Sequence, residues 1–325
     1  MPINYLLIAL AAFSAGFILI NLFKKLTLHS RVLMSKDTPL VGGIAIGITF
    51  IVVSIFTLRY YGVFSQTIVG VLAASAIMLV FGLMDDLKEM PIVSKFLVQI
   101  TATVLLIIFG IRTHIVSIGN LANIVITFIW VLAITNGFNH LDIMDGLAGG
   151  IAIISSLGFL VISLINQDIA AVLLSLVLAG ALFSFLIYNL PPARIYLGNS
   201  GSHFLGFILA SIAIIISYAP LERKIALLSP ILILGFPIFD TAFLVVMRVR
   251  KNILPFKKSD DHLSLRLLRN GYPKNKTLIL MLFLSVLFVL SGITLSRVPN
   301  FCGLTILVLI ISVCLLITIK AGKLR

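Results

Sequence analysis

The residues best suited to chemistry begin with two adjacent carboxylates, Asp85 and Asp86, at the end of a long apolar stretch. Neighbouring carboxylates beside lipid repel each other, so keeping both ionised requires a cation or protons close by. The pair therefore indicates a site for a proton, a metal ion or a charged substrate. A solvated helix end is the alternative that the pair alone leaves open.

Polar side chains then return at every third position of one short segment. They are Asn136, Asn139, Asp142 and Asp145. Along an α-helix this stripe turns by about 60° per step, so a 3₁₀ stretch or a break at Gly137 or Gly146 is needed to direct the side chains into one cavity. The oxygens of Asn139, Asp142 and Asp145 are ligands that suit Mg²⁺. The repeated spacing favours such a site over an ordinary polar loop.

Three further segments carry weaker signals. Residues 196–203 place small and hydroxyl side chains before an apolar run, which suits either an anion at a helix N-terminus or a capping turn. The basic segment 247–276 contains Asp260, Asp261, His262, Ser264 and Arg266. A histidine beside cations is a candidate pyrophosphate contact, although many such histidines are only solvated. Residues 36–43 contain Lys36, Pro39, Gly42 and Gly43, a composition that permits close backbone approach or a simple turn.

Membrane-spanning helices must position these segments. The chain of 325 residues is 60% hydrophobic and only 11% charged, whereas soluble domains contain about 25% charged residues. Its mean hydropathy is +1.21. Continuous apolar runs of about 20 residues can each cross the hydrocarbon layer as a helix, and they lack the alternation of barrel strands. We therefore predict an all-α, polytopic integral membrane protein that forms a single domain over residues 1–325.

We predict about eleven spans, at 4–23, 40–58, 67–84, 95–112, 121–136, 147–166, 169–188, 201–218, 224–246, 277–296 and 301–319. An N-terminus outside then gives a cytoplasmic C-terminus. All but five of the 24 basic residues and all but two of the 11 acidic residues fall at inside ends, which fits the positive-inside rule. The net charge of +13 is thus attributed to topology and anionic lipid rather than to nucleic acid. Asp240 requires a partner, and Arg248 or Arg250 are candidates.

In their order along the chain, these motifs resemble those of the polyprenyl-phosphate N-acetylhexosamine-1-phosphate transferases. Pro-Leu-Val-Gly-Gly at 39–43 looks like the first motif of that family, and Asp85-Asp86 looks like its aspartate pair. Residues 136–150 look like Asn-x-x-Asn-x-x-Asp-Gly-x-Asp-Gly-Leu-Ala-x-Gly, with Ile143 replacing a glycine. The span count is more similar to that of the O-antigen and teichoic-acid-initiating branch than to that of the peptidoglycan branch.

The resemblance implies a phosphoglycosyl transferase that moves a sugar-1-phosphate, N-acetylhexosamine-1-phosphate, from a UDP-sugar to polyprenyl (undecaprenyl) phosphate. The products are polyprenyl-diphospho-sugar and UMP, and the implied cofactor is Mg²⁺, with Mn²⁺ as a substitute. The implied partners are UDP-N-acetylhexosamine, polyprenyl phosphate and membrane lipids, and a homodimer is left open. The implied place is the bacterial inner membrane, with the active site facing the cytoplasm, at the first membrane step of cell-envelope polysaccharide synthesis.

The resemblance also implies roles for individual residues. The implied catalytic residues are Asp85, Asp86, Asp142 and Asp145, of which the first two would hold or deprotonate the lipid phosphate. The implied metal ligands are Asn139, Asp142 and Asn199. The implied substrate-binding residues are Lys36, Asn136, Asn139, Tyr196, His262 and Arg266. Tyr196 is expected to stack on uracil, and Lys36 is expected to bind phosphate.

Two departures from the family pattern affect these expectations. Asn199 stands where the family has an aspartate that binds Mg²⁺, and Ser264 and Leu265 stand where many members have histidines. An amide oxygen can bind Mg²⁺ but carries no charge, so the metal should bind more weakly. A catalytically silent relative is therefore one alternative. A transporter or flippase is another, which the acids at a single face and the lack of an internal repeat disfavour.

Overall fold

The computed structural model describes residues 4–35, 37–218, 223–254 and 260–323, so the predicted substrate ligand Lys36 lies outside the described residues. Almost all regular structure in these ranges is α-helical. The helices are α1 Tyr5–Ser30, α2 Gly42–Tyr60, α3 Gln66–Leu87, α4 Ile92–Ile108, α5 Gly119–Leu141, α6 Leu147–Ile165, α7 Ile169–Asn189, α8 Gly198–Ile215, α9 Ser229–Ile233, α10 Gly235–Arg250, α11 Leu263–Arg269, α12 Lys274–Leu295 and α13 Asn300–Gly322. Two antiparallel strands, β1 Met34–Ser35 and β2 Thr38–Pro39, lie between α1 and α2. Short 3₁₀ helices cover Val116–Ile118 and Lys224–Leu228.

The multi-pass helical architecture predicted from hydropathy is confirmed. Nine of the described helices are long and apolar enough to cross a membrane, and the bent pair Lys224–Ile233 and Gly235–Arg250 makes ten if it is one span. Helix α4 has 17 residues, a length of about 25 Å, which is near the lower limit for crossing a bilayer. The count of eleven spans and the side of each terminus stay predictions.

The predicted ninth span, 224–246, is not a straight helix, because the chain bends by 72° between α9 and α10. Gly235 begins α10, and a Cβ atom on it would lie 2.4 Å from Cδ1 of Phe288. Pro237 follows in the first turn of α10, where its missing N–H is tolerated. A glycine and a proline so close together are a usual cause of a sharp helix break. Hydropathy alone does not detect this feature, since both halves are apolar.

Residues Met1–Ser217 form one compact unit, in which α8 is the most buried helix. Helix α8 packs against α2, α3 and α5, while α7 packs against α1 and α6. Glycines bring the backbones close: a Cβ on Gly206 would lie 2.6 Å from Cα of Thr135 in α5. Small residues at helix contacts allow this close approach, which polar bonds and van der Waals contacts then stabilise. The central helix α8 can therefore hold its N-terminal residues firmly.

Residues Tyr218–Arg325 form a second compact unit, in which α12 packs against α9, α10, α11 and α13. Gly292 of α12 faces α9, where a Cβ would lie 2.9 Å from the carbonyl oxygen of Ser229. Helix α13 is almost entirely exposed, with only Gly303 and Ala321 buried, as expected for an apolar helix that faces lipid. The prediction of a single domain over residues 1–325 stays a prediction.

Candidate active site

The carboxylate of Asp86, near the end of α3, holds the N-terminal end of α8. Its Oδ1 accepts a hydrogen bond from the N–H of Asn199 at 2.6 Å, and its Oδ2 accepts one from the N–H of Ser200 at 2.9 Å. The first N–H groups of a helix have no partner within the helix and carry partial positive charge, so a carboxylate is favourable there. The sequence left open an anion or a capping turn at this helix N-terminus, and the carboxylate of Asp86 occupies that position in the structure.

Two glycines permit the contact between Asp86 and α8. Gly198 has a φ of +73°, and a Cβ atom on it would lie 2.7 Å from Oδ2 of Asp86. Gly82 lies about one turn before Asp86 in α3, and a Cβ on it would lie 2.5 Å from Cα of Ser200. A side chain at either position would push the carboxylate away from the N–H groups that it accepts from.

Asn139, in the last turn of α5, bonds to the same end of α8. Its Nδ2 donates to Oδ1 of Asn199 at 3.2 Å and to Oγ of Ser202 at 3.0 Å. Asn199 is thus held through its backbone by Asp86 and through its side chain by Asn139. Asn199 is 113 positions from Asp86 and 60 positions from Asn139 in the sequence, so the fold brings distant residues together.

Asp142 lies in the loop between α5 and α6, near enough to Asp86 of this cluster for the two charges to interact. Helix α5 ends at Leu141, and Gly146, with a φ of +77°, precedes α6. The predicted break at Gly146 is therefore present, whereas Gly137 lies within α5. Asp142 is exposed to solvent on one side, but nearby protein atoms partly bury its carboxyl group. This burial and the charges of Asp86 and Asp145 raise the pKa of Asp142 to about 7.

Asn189, the last residue of α7, fixes the loop that carries Asp142 and Asp145. Its Oδ1 accepts from the N–H of Gly146 at 2.9 Å, and its Nδ2 donates to the carbonyl oxygen of Ile195 at 2.9 Å. Asp145 accepts a longer bond, 3.4 Å, from the N–H of Ala193. Sequence reasoning missed Asn189, which is a single polar residue at the end of an apolar run.

Asp85 faces a different partner from its neighbour. Its Oδ2 lies 2.5 Å from Nζ of Lys95 on α4, and its Oδ1 accepts from the N–H of Met90 at 2.7 Å. The carboxylate is fully buried, while the side chain of Lys95 is 22% exposed. Lys95 therefore supplies the cation that the aspartate pair was expected to require. Lys95 was not recognisable from the sequence, because one lysine inside a predicted span has no distinctive spacing.

Asn136 lies away from the cluster and joins α5 to α4. Its Nδ2 donates to Oε1 of Gln99 at 2.8 Å, and Nε2 of Gln99 donates back to Oδ1 of Asn136 at 3.4 Å. Gln99 is almost fully buried. The described contacts of Asn136 are thus helix-packing contacts, and its predicted role in substrate binding stays a prediction.

The Pro39–Gly43 motif packs against the segment that leads into α8. The N–H of Tyr196 donates to the carbonyl oxygen of Pro39 at 2.8 Å, and the N–H of Gly42 donates to that of Tyr196 at 3.0 Å. A Cβ on Gly43 would lie only 2.0 Å from the backbone nitrogen of Gly201. The close backbone approach expected of these glycines is therefore present. The side chain of Tyr196 is partly exposed.

In the second unit, Asp240 of α10 meets His262 immediately before α11. Nδ1 of His262 lies 2.7 Å from Oδ2 of Asp240, and the N–H of Leu263 donates to Oδ1 at 3.2 Å. Arg248 or Arg250 was the partner expected for Asp240, whereas the partner described in the structure is His262. His262 is 22 positions from Asp240, so it could not be identified as the partner from its position relative to the predicted span.

Arg266 is buried and binds within the same unit. Its Nη2 lies 2.8 Å from Oδ1 of Asp261, and its Nη1 donates to the carbonyl oxygens of Ala321 and Gly322 at 3.4 Å. Burial alone would raise the pKa of Asp261, but hydrogen bonds from Lys251 and Arg266 hold it below its ordinary value. Arg266 thus joins α11 to the end of α13, and its predicted contact with substrate stays a prediction.

Comparison with known proteins gives this arrangement a family. The sequence profile of glycosyl transferase family 4 matches residues 68–217. The chain is 29% identical over 295 residues to the probable undecaprenyl-phosphate N-acetylglucosaminyl 1-phosphate transferase of Bacillus subtilis (strain 168), covering 87% of this chain and 80% of that protein. It is 30% identical over 289 residues to the decaprenyl-phosphate N-acetylglucosaminephosphotransferase of Mycobacterium tuberculosis (strain ATCC 25618 / H37Rv), covering 78% and 71%.

The chain belongs to glycosyl transferase family 4. It is also 31% identical over 223 residues, or 66% of each chain, to the undecaprenyl-phosphate alpha-N-acetylglucosaminyl 1-phosphate transferase of Thermotoga maritima (strain ATCC 43589 / DSM 3109 / JCM 10099 / NBRC 100826 / MSB8). The resemblance that the motifs carried is confirmed, and the protein is an enzyme of the polyprenyl-phosphate N-acetylhexosamine-1-phosphate transferase family.

In this family 4 enzyme, the side-chain oxygens near the N-terminus of α8 determine which metal ion the site could hold. Within the described ranges, no group of three or more His, Cys, Asp and Glu side chains is placed to hold a metal ion. The donor set instead combines one carboxylate, Asp142, with the amides Asn139 and Asn199, which hydrogen-bond each other. Mg²⁺ often binds through one or two carboxylates and completes its shell with water and substrate phosphates. The residues present therefore fit Mg²⁺ better than a metal that requires a full protein cage.

Proposed function

We propose that the enzyme transfers N-acetylhexosamine-1-phosphate from a UDP-sugar to polyprenyl phosphate, giving polyprenyl-diphospho-sugar and UMP. The relatives are named for the transfer of N-acetylglucosaminyl 1-phosphate or N-acetylglucosaminephosphate to undecaprenyl or decaprenyl phosphate, so UDP-N-acetylglucosamine is the first donor to test. The observation that carries the proposal is the gathering of Asp86, Asn139 and Asn199 at one end of α8, with Asp142 alongside.

The transfer needs no covalent bond to the protein. An oxygen of the lipid phosphate attacks the phosphorus that bears the sugar, and the bond from that phosphorus to the bridging oxygen of UMP breaks. Both reactants are anionic, so the enzyme has to align two phosphates and offset their repulsion. The three potential metal ligands Asn139, Asp142 and Asn199 would hold Mg²⁺ or Mn²⁺, which supplies positive charge to the phosphate oxygens.

The remaining residues of the site orient these groups. Asp86 fixes the first turn of α8 and so the backbone of Asn199, and Asn189 fixes the loop that carries Asp142. Lys95, held by Asp85, places a partly exposed ammonium beside the aspartate pair, where it can attract a phosphate. We assign Asp85 and Asp86 to the lipid phosphate and Asp145 to the nucleotide-sugar, as the family resemblance implies.

We further propose that the site faces the cytoplasm of a bacterial inner membrane and that the reaction begins a cell-envelope polysaccharide. A membrane-embedded lipid phosphate and a soluble nucleotide can meet only where hydrocarbon ends and water begins. The asymmetry of basic residues between the two sets of span ends supports a cytoplasmic site. Membrane lipids are then partners along the whole belt of exposed apolar helices.

UMP release from purified full-length protein tests the proposal. In micelles with polyprenyl phosphate and UDP-N-acetylglucosamine, the wild type should release UMP when MgCl₂ is present and stop when EDTA is added. Asp142→Asn should lower the rate by at least about a hundredfold, since a charged group at the phosphates is lost. Asp168→Asn is the control, because Asp168 only caps α7 by accepting from Ala171 N–H at 3.1 Å.

The outcome that refutes the proposal is equally direct. If folded wild-type protein, checked by size-exclusion chromatography, releases no UMP from a panel of UDP-sugars with Mg²⁺ or Mn²⁺, the enzyme does not catalyse this transfer. Equal rates for Asp142→Asn and the wild type would leave the transfer in place but remove the polar cluster as its site.

A further inference from the structure

An apolar groove lies between α3 and α4. Its cavity volume is about 500 Å³, which is within the usual range for ligand pockets. On α3 it is lined by residues between Ala76 and Met84, and on the other side by Met90, Ser94 and Val98. Ser94 is the one polar side chain among the described residues that line it. Met84 is 50% exposed, so the groove is open to the surrounding lipid.

The groove begins at the ion pair of Asp85 and Lys95. Met84 precedes Asp85 in the chain, and the N–H of Met90 donates to Oδ1 of Asp85 at 2.7 Å. Lys95 follows Ser94 on α4, and its Nζ lies 2.5 Å from Oδ2 of Asp85. Two lining residues are thus sequence neighbours of the charged groups, and a third is bonded to one of them.

From this charged end the groove runs into the hydrocarbon layer. Ala76 and Met84 are eight residues apart in α3, a distance of about 12 Å along the helix. One leaflet contributes about 15 Å to the hydrocarbon core. Helix α3 ends at Leu87, so Asp85 is near the membrane surface and Ala76 lies deeper. A charged end followed by an apolar length matches a molecule with an anionic head and a hydrocarbon chain.

We propose that this groove holds the first isoprene units of polyprenyl phosphate while the phosphate group lies at Lys95. The identity of this lipid rests on the proposed function. The ammonium of Lys95 is on a side chain that is 22% exposed, and its three N–H donors allow it to bind a phosphate oxygen while it keeps Asp85.

The direct bond between chain and phosphate favours this lipid over a phospholipid. In polyprenyl phosphate the hydrocarbon begins at the phosphate ester, so apolar atoms enter the groove at once. In a phospholipid, glycerol and two ester groups separate the phosphate from the chains. These polar groups would lie among apolar side chains without hydrogen-bond partners, which is unfavourable.

The groove contributes orientation more than affinity. A chain that moves from the bilayer into the groove exchanges one apolar environment for another, so the hydrophobic gain is small. A chain held along α3 restricts the position of its phosphate, and alignment of the reacting groups is a main requirement of phosphoryl transfer. Met84 and Met90 have flexible side chains that can adapt to the methyl branches of an isoprenoid.

Photolabelling of the full-length protein in phosphatidylcholine nanodiscs tests the position of the chain without relying on activity. The probe is polyprenyl phosphate with a diazirine in its first isoprene unit, and mass spectrometry of peptides locates the label. Most of the label should fall within residues 76–98, which include the groove, and unlabelled polyprenyl phosphate should prevent labelling. Labelling of other segments alone would overturn the proposal, as would equal competition by phosphatidylglycerol.

Val80→Trp should fill the groove. Val80 lines it and is 57% exposed, so the larger side chain does not enter the protein core. Labelling within residues 76–98 and kcat/KM for polyprenyl phosphate should each fall by about tenfold, because the phosphate is no longer aligned. The KM for UDP-N-acetylglucosamine should not change, since the groove holds only the lipid.

Val69→Trp is the matched control. Val69 is 37% exposed and lies on the same face of α3, about three turns further from Asp85, and it does not line the groove. This variant should match the wild type in labelling and kinetics. Equal values for Val80→Trp and the wild type would refute the proposal. A wild type without UMP release would refute the proposed transfer, whereas the labelling would still decide whether the groove binds the chain.

Discussion

Asn199 sets the charge of the polar cluster at the N-terminus of α8. Its backbone is held by Asp86, and its side chain accepts from Asn139. Asp142 already experiences the charges of Asp86 and Asp145. A neutral amide at position 199 therefore limits repulsion when no cation is bound, but it also gives a divalent cation less negative charge to bind.

Replacing this amide by a carboxylate should strengthen metal binding. Asn199→Asp should lower the Mg²⁺ concentration for half-maximal UMP release by about tenfold, since affinity for hard cations rises with ligand charge. Asn21→Asp is the matched control. Asn21 lies on α1, outside the polar cluster, and its Oδ1 accepts a hydrogen bond from Oη of Tyr188 at 3.0 Å. A Mg²⁺ dependence that does not change in Asn199→Asp would mean that position 199 is not a metal ligand.

Asp142 should make stability depend on pH in a defined direction. Its folded pKa is raised from 3.8 to about 7, so between these values the folded state binds more protons than the unfolded state. Stability should then fall as pH rises through this window. The Tm of wild type without divalent ions should drop between pH 5 and 8 relative to Asp142→Asn, and MgCl₂ at pH 8 should restore it only in the wild type. A parallel pH dependence in both proteins would contradict this prediction.

Removing only one partner of the Asp85–Lys95 ion pair should lower the stability of the fold strongly. Asp85 is fully buried, so Lys95→Met leaves an uncompensated carboxylate and should destabilise the fold by about 3–5 kcal/mol. The double variant Asp85→Asn with Lys95→Met should recover part of this loss. Thermal unfolding in detergent measures both, with the exposed Lys88→Met as control. A Tm equal to that of wild type for Lys95→Met would show that Asp85 has another compensating partner.

Residues with a repeated spacing were predictable, and isolated ones were not. The recurrence at 136, 139, 142 and 145 indicated a common site, which stays a prediction. Asn139 bonds to the N-terminal end of α8, whereas Asn136 bonds to Gln99 of α4. Lys95, Gln99 and Asn189 are each a single polar residue in an apolar run. Their roles depend on which helix lies opposite, and one sequence without homologues does not contain that information.

At the scale of elements, the position of the site depends on close contacts around α8. Helix α8 is buried on nearly all sides, and glycines on α2, α3 and α8 itself allow the backbones to touch. The motif at 39–43 and the motif at 196–203 are therefore two halves of one contact. A change that separates these helices should move Asn199 without altering any polar side chain.

Gly43→Ala tests this contact. The new Cβ would lie 2.0 Å from the backbone nitrogen of Gly201, where nothing can rotate aside, so we expect a loss of at least about 3 kcal/mol. Gly322→Ala is the control, because the nearest atoms to its new Cβ are the ends of two flexible side chains, Nη1 of Arg250 at 2.9 Å and Cε of Met247 at 3.2 Å. Thermal unfolding and UMP release should fall together for Gly43→Ala. A Tm within about 1 °C of wild type would contradict the contact.

The positions of most helices could be predicted from the sequence, whereas only some of the breaks and bends in them could. A 3₁₀ stretch or a break at Gly137 or Gly146 was expected, because a straight helix cannot direct a stripe of period three into one cavity, and the structure has the break at Gly146. The 72° bend before Gly235 was missed, since both halves are apolar and hydropathy averages across them. Helix α1 continues to Ser30, beyond the predicted end at residue 23, because polar residues after the apolar run can remain helical in the aqueous layer.

At the scale of the whole molecule, the sidedness of the membrane remains the main prediction. The sequence supports a cytoplasmic site by the distribution of charge, which reflects insertion rather than packing. Helix packing alone contains no signal for which side is inside. Composition therefore predicted the class of fold and a large number of spans, while orientation needs a direct measurement.

Cysteine labelling supplies that measurement. In a background with Cys302 and Cys314 replaced by serine, Gln66→Cys should react with a membrane-impermeant maleimide in intact cells. Lys88→Cys, at the other end of α3, should react only after lysis. Both positions are exposed, so reactivity reports sidedness. The reverse pattern would place the polar cluster outside and exclude UDP-sugars of the cytoplasm as donors.

The double contact of Asp86 with α8 changes how mutants at this position should be read. Asp86→Asn would turn an NH₂ group towards a backbone N–H, and the first turn of α8 would lose an acceptor in a buried place. A genetic screen that measures only loss of activity would classify Asp86 as a catalytic residue whether or not it contacts a phosphate. Asp86 stabilises the fold and is also a proposed functional residue, so each rate measured for a variant at position 86 requires a measurement of folding as well.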